Sequence, residues 1–111
     1  MSVYIKNAYA GQPGAAATLI YTCPANTQAR VLKCTVCNDT TSAMTFKAYK
    51  VPSGESVGDE YLVYNDKAVG SKATFGCPDI VGQVLNAGDM IYIHPSAADQ
   101  LSVMLDVMET V

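Results

Sequence analysis

The chain has 111 residues, of which seven are Lys or Arg and ten are Asp or Glu, giving a formal net charge of −3. Half of the residues are hydrophobic and only 15% are charged, whereas an ordinary soluble domain carries about 25% charged residues. This balance excludes intrinsic disorder, and the few scattered cations form no basic stripe for nucleic acid. The low charge indicates that the chain buries apolar surface either in its own core or against partners.

Neither a membrane span nor a secretory signal is predicted. No apolar run approaches the roughly 20 residues of a membrane-spanning helix, and the N-terminus lacks a charged leader followed by a long apolar stretch. We therefore expect synthesis in the cytoplasm, no membrane partner and reduced cysteines.

Alternation of apolar and polar residues with a period of two runs through most of the chain. The clearest case is the C-terminal segment, where Leu101, Val103 and Leu105 share one face. Gly, Pro, Asn and Asp residues separate such segments at the spacing of an all-β protein. The pattern predicts about eight short strands, at residues 17–22, 29–37, 44–51, 61–64, 71–75, 80–85, 90–94 and 101–107.

Consecutive strands joined by short polar turns are expected to pair antiparallel. Strand 29–37 is expected to pair with strand 44–51, and the turn at residues 86–89 to close a hairpin with a Gly bulge. No long helix is indicated. The sequence therefore predicts an all-β chain, an antiparallel β-sandwich or jelly roll over residues 17–111, preceded by an extended N-terminal arm over residues 1–16.

Catalytic chemistry and metal binding find little support in the sequence. Cys34 and Cys37 form a C-x-x-C pair, but side chains three residues apart on a regular strand point to opposite faces. They are interpreted as small buried hydrophobes rather than as metal ligands or a redox pair. The single histidine, His94, shows no nucleophile or acid partner. No catalytic residue, metal ligand or cofactor is predicted.

Several strands carry apolar residues on both faces, as where Met104 and Met108 lie opposite Leu101 and Val107, or Cys34 and Val36 opposite Val31 and Cys37. At least one outer sheet face is therefore expected to be covered by another subunit. Tyr, which is enriched at interfaces, accounts for seven of the nine aromatic residues. The candidate interface residues are Val3, Tyr4, Ile5, Tyr9, Tyr61, Tyr64, Met104 and Met108.

Four stretches of the chain resemble small virion structural proteins of tailed bacteriophages. They are LIYTCPA at residues 19–25, VCNDT at 36–40, FKAYKVPSG at 46–54 and VLNAGDMIY at 84–92. The resemblance covers roughly residues 17–111 and implies a compact β-sandwich that builds or decorates a particle. The family pattern carries no catalytic residues. This chain departs from it by carrying Cys23, Cys34, Cys37 and Cys77 where aliphatic or small residues are usual.

The resemblance and the composition together suggest a capsid decoration (cement) protein, made in the host cytoplasm and located in the virion. Its expected partners are the major capsid protein and further copies of itself, in a homotrimer or dimer. One alternative is a tail, baseplate or head–tail connector component. An alternative of another class is a carbohydrate-binding module that stacks sugars on Tyr61 and Tyr64. An enzyme is not expected.

Overall fold

A computed structural model describes all 111 residues and contains nine strands with one 3-10 turn at Asp59–Tyr61. The predicted all-β class is confirmed. The strands are β1 (Val3–Gly11), β2 (Thr18–Thr22), β3 (Gln28–Asn38), β4 (Met44–Val51), β5 (Leu62–Val69), β6 (Thr74–Phe75), β7 (Val84–Leu85), β8 (Met90–Pro95) and β9 (Leu101–Thr110).

The strands form two antiparallel sheets that pack face to face. The five-stranded sheet has the order β1-β9-β3-β6, with β7 also pairing with β3, and the four-stranded sheet has the order β2-β8-β4-β5. In this arrangement β1 pairs with β9, β2 with β8, β3 with β6 and β7, and β4 with β5. The strands of the first half therefore pair with those of the second half in reverse order, and the pairs alternate between the two sheets. This topology is a jelly roll.

The core lies between the sheets and follows the predicted alternation. The inward residues of β9 are fully buried, and they pack against inward residues of the opposite sheet such as Phe46 and Ile93. Burial of these apolar side chains provides the main stabilising term, at about 25 cal/mol per Å² of apolar surface. The predicted inward face of β9 is confirmed in Leu101, Val103, Leu105 and Val107.

A bulge in β3 corrects one prediction of the sequence analysis. The register to β9 shifts between Val31 and Lys33, and a bulge inserts one unpaired residue into a strand. Val31 therefore faces inward together with Cys34 and Val36, and all three are buried. The prediction that Val31 lies on the face opposite Cys34 and Val36 was wrong, because simple alternation assumes that no residue is inserted.

Two predicted hairpins are also absent. Strands β3 and β4 lie in different sheets, and so do β7 and β8. The turn at residues 86–89 is present, because the Asp89 N–H donates to the Asn86 carbonyl and the Asp89 carboxylate accepts from the Asn86 N–H. Turn residues specify a reversal of the chain, but they do not specify whether the next strand joins the same sheet.

The predicted N-terminal arm is replaced by a strand over most of its length. Residues Val3 to Gly11 form β1, which pairs with β9 from Val3–Thr110 to Gly11–Val103 with one bulge near Asn7. An edge strand with water on most of its surface needs little apolar alternation, and this explains why the pattern within β1 is weak. Its residues are mostly exposed.

Candidate interface on the outer face of the five-stranded sheet

The strand register places several candidate interface residues on one surface. Directly opposed residues of an antiparallel pair lie on the same face of the sheet. Ile5 opposes Met108 on β9, Met108 opposes Arg30 on β3, and Arg30 opposes Val84 on β7. This row therefore crosses the whole outer face of the five-stranded sheet, with Met108 at its centre.

The neighbouring rows extend this surface along the sheet. Val3 opposes Thr110 at one end, and Ala10 opposes Met104 towards the other end. We call the apolar members of these rows the outer patch. It consists of Val3, Ile5, Val84, Met104 and Met108.

Four of the five members of the outer patch are open to solvent, and Met108 is half-buried. Ile5 is 73% exposed, Met104 57%, Val3 54% and Val84 40%. Single exposed apolar residues are normal on protein surfaces, but several on one sheet face make that face a candidate binding surface. Of these four residues, the sequence analysis named Val3, Ile5 and Met104 as candidate interface residues.

Polar side chains cross and border the outer patch. Asn7, Asp106 and Lys33 form a row between Met108 and Met104. The Asn7 side-chain amide donates to the Asp106 carboxylate over 2.9 Å and to the Leu105 carbonyl over 3.2 Å. These hydrogen bonds fix the polar row in place, so the outer patch combines apolar contacts with a defined polar contact.

A shallow concavity of about 260 Å³ lies at the β7 end of the outer patch. Its lining includes the apolar side chains of Val84 and Met108, and it also includes Arg30, Gln28 and Thr110. The Arg30 guanidinium carries the one positive charge of this lining. The concavity can receive an apolar side chain that lies close to an acidic or carbonyl oxygen.

The other predicted residues of β1 lie on the opposite side of the strand. Tyr4 opposes Glu109, and Tyr9 opposes Leu105, so both point towards the inner side of the sheet. Tyr9 is half-buried and packs against the core, while Tyr4 remains 55% exposed at the open edge. Tyr4 thus extends the exposed surface around the edge of β1 rather than belonging to the outer patch.

The buried carboxylate of Glu109 on β9 links the neighbouring strand β1 to the opposite sheet. Glu109 accepts a hydrogen bond from the Tyr21 hydroxyl and pairs with the Lys6 ammonium over 3.0 Å. Burial raises the pKa of Glu109, but the hydrogen bonds from Tyr21 and Lys6 outweigh burial and hold that pKa below its ordinary value of 4.5. Burial and the nearby Glu109 carboxylate together raise the pKa of Tyr21 well above its usual range.

The two tyrosines predicted near β5 occupy different environments. Tyr64 is buried, its ring packs edge-on against Phe46 and Phe75, and its hydroxyl accepts a hydrogen bond from the Asp79 N–H. The prediction of Tyr64 as an interface residue was wrong, because its ring fills the core at this position. Tyr61 is half-buried at the end of the 3-10 turn.

His94 lies in the four-stranded sheet, away from the outer patch, beside a second small concavity. The concavity, of about 80 Å³, is lined by Lys47, Asp66, His94, Pro95 and Ser96, and Lys47 pairs with Asp66 over 2.7 Å. Cys34 is buried and Cys37 faces the outer side, so the predicted opposite orientation of these two is confirmed. The structure contains no group of three or more His, Cys, Asp or Glu side chains that could hold a metal ion.

The sequence analysis missed Val84, Arg30 and the cluster of Glu109 with Tyr21 and Lys6. Val84 and Arg30 join the outer patch only through the pairing of β7 with β3, which links positions 54 residues apart. The cluster had a detectable signal in the sequence, because Glu109 continues the inward series of β9. A buried carboxylate needs polar partners, so this position predicted a buried hydrogen-bonded cluster.

Comparisons of the chain with models of protein families, with curated proteins and with solved structures find no match. The structure also contains no helix with the length and apolar character needed to cross a membrane.

Proposed function

We propose that this chain is a virion structural protein of a tailed bacteriophage, most specifically a capsid decoration protein that binds the major capsid lattice through the outer patch. The observation that carries this proposal is the outer patch, whose apolar residues lie on β1, β9 and β7 of one sheet face. Its support from sequence is the resemblance of residues 17–111 to small virion proteins.

The composition supports the same proposal. A specific interface buries roughly 800 Å² on each partner, whereas the whole accessible surface of the chain is 5640 Å². One contact with the capsid and one with another copy would together cover roughly 1,600 Å², more than a quarter of this surface. The low content of charged residues agrees with a chain covered on more than one side.

The fold is compatible with this function without specifying it. Jelly rolls occur in viral capsid proteins and in lectins, and a shared fold does not imply a shared function. The jelly roll matters here because it places β1 at an open edge beside β9. The outer patch is thereby presented on a rigid sheet rather than on a loop.

We further propose that the protein acts as a homotrimer or dimer. Decoration proteins of the resembled family sit on local symmetry axes of the capsid, where two or three copies meet. The edge of β1, with Tyr4 exposed beside Val3 and Ile5, is the element best placed to contact a second copy, because its outer backbone groups have no strand partner.

Binding to capsids tests the role of the outer patch. In the double variant Ile5→Asp and Met104→Asp, two carboxylates are placed in the outer patch, and we expect occupancy on purified, undecorated capsids to fall at least tenfold. The matched control is Val57→Asp, which alters an exposed apolar residue outside the five-stranded sheet. The control should bind as the wild type does.

Circular dichroism and thermal unfolding should show that all three proteins are folded, since the altered residues are exposed. Full capsid occupancy by the folded double variant would contradict binding through the outer patch.

A tail, baseplate or connector component remains the second candidate, because an outer patch of this kind also suits a ring of subunits. The carbohydrate-binding alternative has only the half-buried Tyr61 left as a stacking residue, since Tyr64 is buried. Copy number per particle separates the first two candidates, as hundreds of copies indicate decoration and about a dozen indicate a ring.

A further inference from the structure

Cys34 and Cys77 lie opposite each other on the inner side of the five-stranded sheet. Strand β6 pairs antiparallel with β3, and Val36 opposes Phe75 in this pair. Cys77 lies two residues beyond Phe75, where β6 has ended, and its thiol contacts the thiol of Cys34. The sequence gives no hint of this pairing, because the two cysteines are 43 residues apart in the chain.

Burial and contact support the juxtaposition of the two thiols. Both Cys34 and Cys77 are completely buried, and both belong to the same core cluster. The contact with the Cys34 thiol, together with burial, raises the pKa of Cys77 well above its ordinary value. Thiols in contact are the starting arrangement for a disulfide, which spans Cα separations of about 4.4–6.8 Å.

The position of Cys77 gives an oxidant a route to the pair. Its φ is +46°, so it sits in the left-handed region just after β6 has ended. The turns that follow contain no strand pairing until β7, and their own hydrogen bonds include those from the Ile80 and Val81 N–H groups to the Cys77 carbonyl. Local opening of such a turn exposes the thiols without unfolding the sandwich.

We propose that Cys34 and Cys77 form a site of reversible covalent modification, at which a small-molecule disulfide such as oxidised glutathione converts the two thiols into an intramolecular disulfide. One cysteine thiolate attacks the glutathione disulfide, forms a mixed disulfide and releases one reduced glutathione. The second cysteine, losing its proton, attacks the mixed disulfide and releases another reduced glutathione. Two cysteine thiols are thus oxidised while one glutathione disulfide is reduced.

The cross-link would fasten the chain that follows β6 to β3. This segment connects β6 with β7, and both are strands of only two residues. A disulfide that closes a loop of about 40 residues restricts the unfolded chain strongly, so oxidation should raise the melting temperature by at least about 5 °C. The inference stands independently of the proposed virion function.

Mass spectrometry of the oxidised protein tests the proposal. The folded Cys37→Ser variant is incubated with oxidised glutathione and then digested with trypsin. The substitution removes the second cysteine of peptide 34–47, so that Cys34 is the only cysteine in that peptide. Cys77 lies in peptide 73–111 and Cys23 in peptide 7–30. The expected product links peptide 34–47 to peptide 73–111, and its melting temperature returns to the reduced value on treatment with a thiol.

Two results would overturn the proposal. One is glutathione attached to Cys34 or Cys77 without a cross-link, and the other is two free thiols after prolonged incubation in mild denaturant that opens the turn. The double variant Cys34→Ser and Cys37→Ser should show neither the link nor the rise in melting temperature. If that variant does not fold, the linked peptides and melting temperature of Cys37→Ser decide alone.

Discussion

Glu109 shows how one residue can hold the edge strand to both sheets. Glu109 is the only charged residue among the buried ones. Its carboxylate accepts a hydrogen bond from Tyr21 of the opposite sheet and forms an ion pair with Lys6 of β1. A buried carboxylate without such partners would lose its hydration and gain no hydrogen bonds or ion pair in return, which would destabilise the folded state. The cluster therefore stabilises the fold only while Glu109 is ionised.

This cluster predicts a dependence of stability on pH. Because the folded-state pKa of Glu109 lies below its ordinary value of 4.5, its contribution to stability is complete above that value. The contribution is lost as the pH falls through the lower, folded-state pKa. At pH 7 we expect Glu109→Gln to lower the free energy of unfolding by about 1.5–3 kcal/mol, the range for a hydrogen bond to a charged group.

Urea unfolding of the wild type and of Glu109→Gln, measured from pH 7 to pH 3, checks this prediction. The difference between the two proteins should shrink towards acid pH. Asp39→Asn serves as a control, because Asp39 pairs with Lys72 in an exposed position and should change stability little at any pH. A difference between wild type and Glu109→Gln that stays constant over this range would contradict the prediction.

At the scale of strands, alternation predicted most of the elements but missed β1, and it predicted the arrangement of the strands poorly. The bounds of β4 agree with the prediction, and β9 was correct in its inward face, since both are long and half-buried. The bulge in β3 escaped prediction because nothing in the local sequence marks an inserted residue. The separation of β3 and β4 into different sheets escaped because it depends on the whole jelly roll, not on the turn between them.

The status of β1 as a strand gives a second prediction. Deleting residues 1–11 removes a strand that pairs along nearly all of β9, and it also removes the Lys6 partner of Glu109. We expect the deletion to lower the melting temperature by more than about 10 °C or to prevent folding, since it forfeits several kcal/mol of stability. Thermal unfolding followed by circular dichroism measures the effect.

A shorter truncation that removes only residues 1–2 is the matched control, because it leaves every residue of β1 in place. It should melt within a few degrees of the full chain. A chain without residues 1–11 that melts at the wild-type temperature would show that this segment behaves as a detachable arm, contrary to its place in the structure.

At the scale of the whole molecule, the outer patch is the exposed surface on which apolar residues stand in place of charged ones. The sequence predicted that one outer sheet face is covered, and the register collects Val3, Ile5 and Met108 on the outer face of the five-stranded sheet. The sequence also supplied these residues as candidates, whereas Val84 and Arg30 required the long-range pairing of β7 with β3. The proposed partner of this face is the major capsid lattice.

The most direct test of this proposal is the number of copies of the chain in purified phage particles. Quantitative mass spectrometry of the purified particles gives this number as a ratio to the major capsid protein. A decoration protein on local symmetry axes predicts a ratio between about one third and one, which corresponds to hundreds of copies per particle. Absence of the chain from purified particles, or a dozen copies or fewer, would contradict its assignment as a capsid decoration protein.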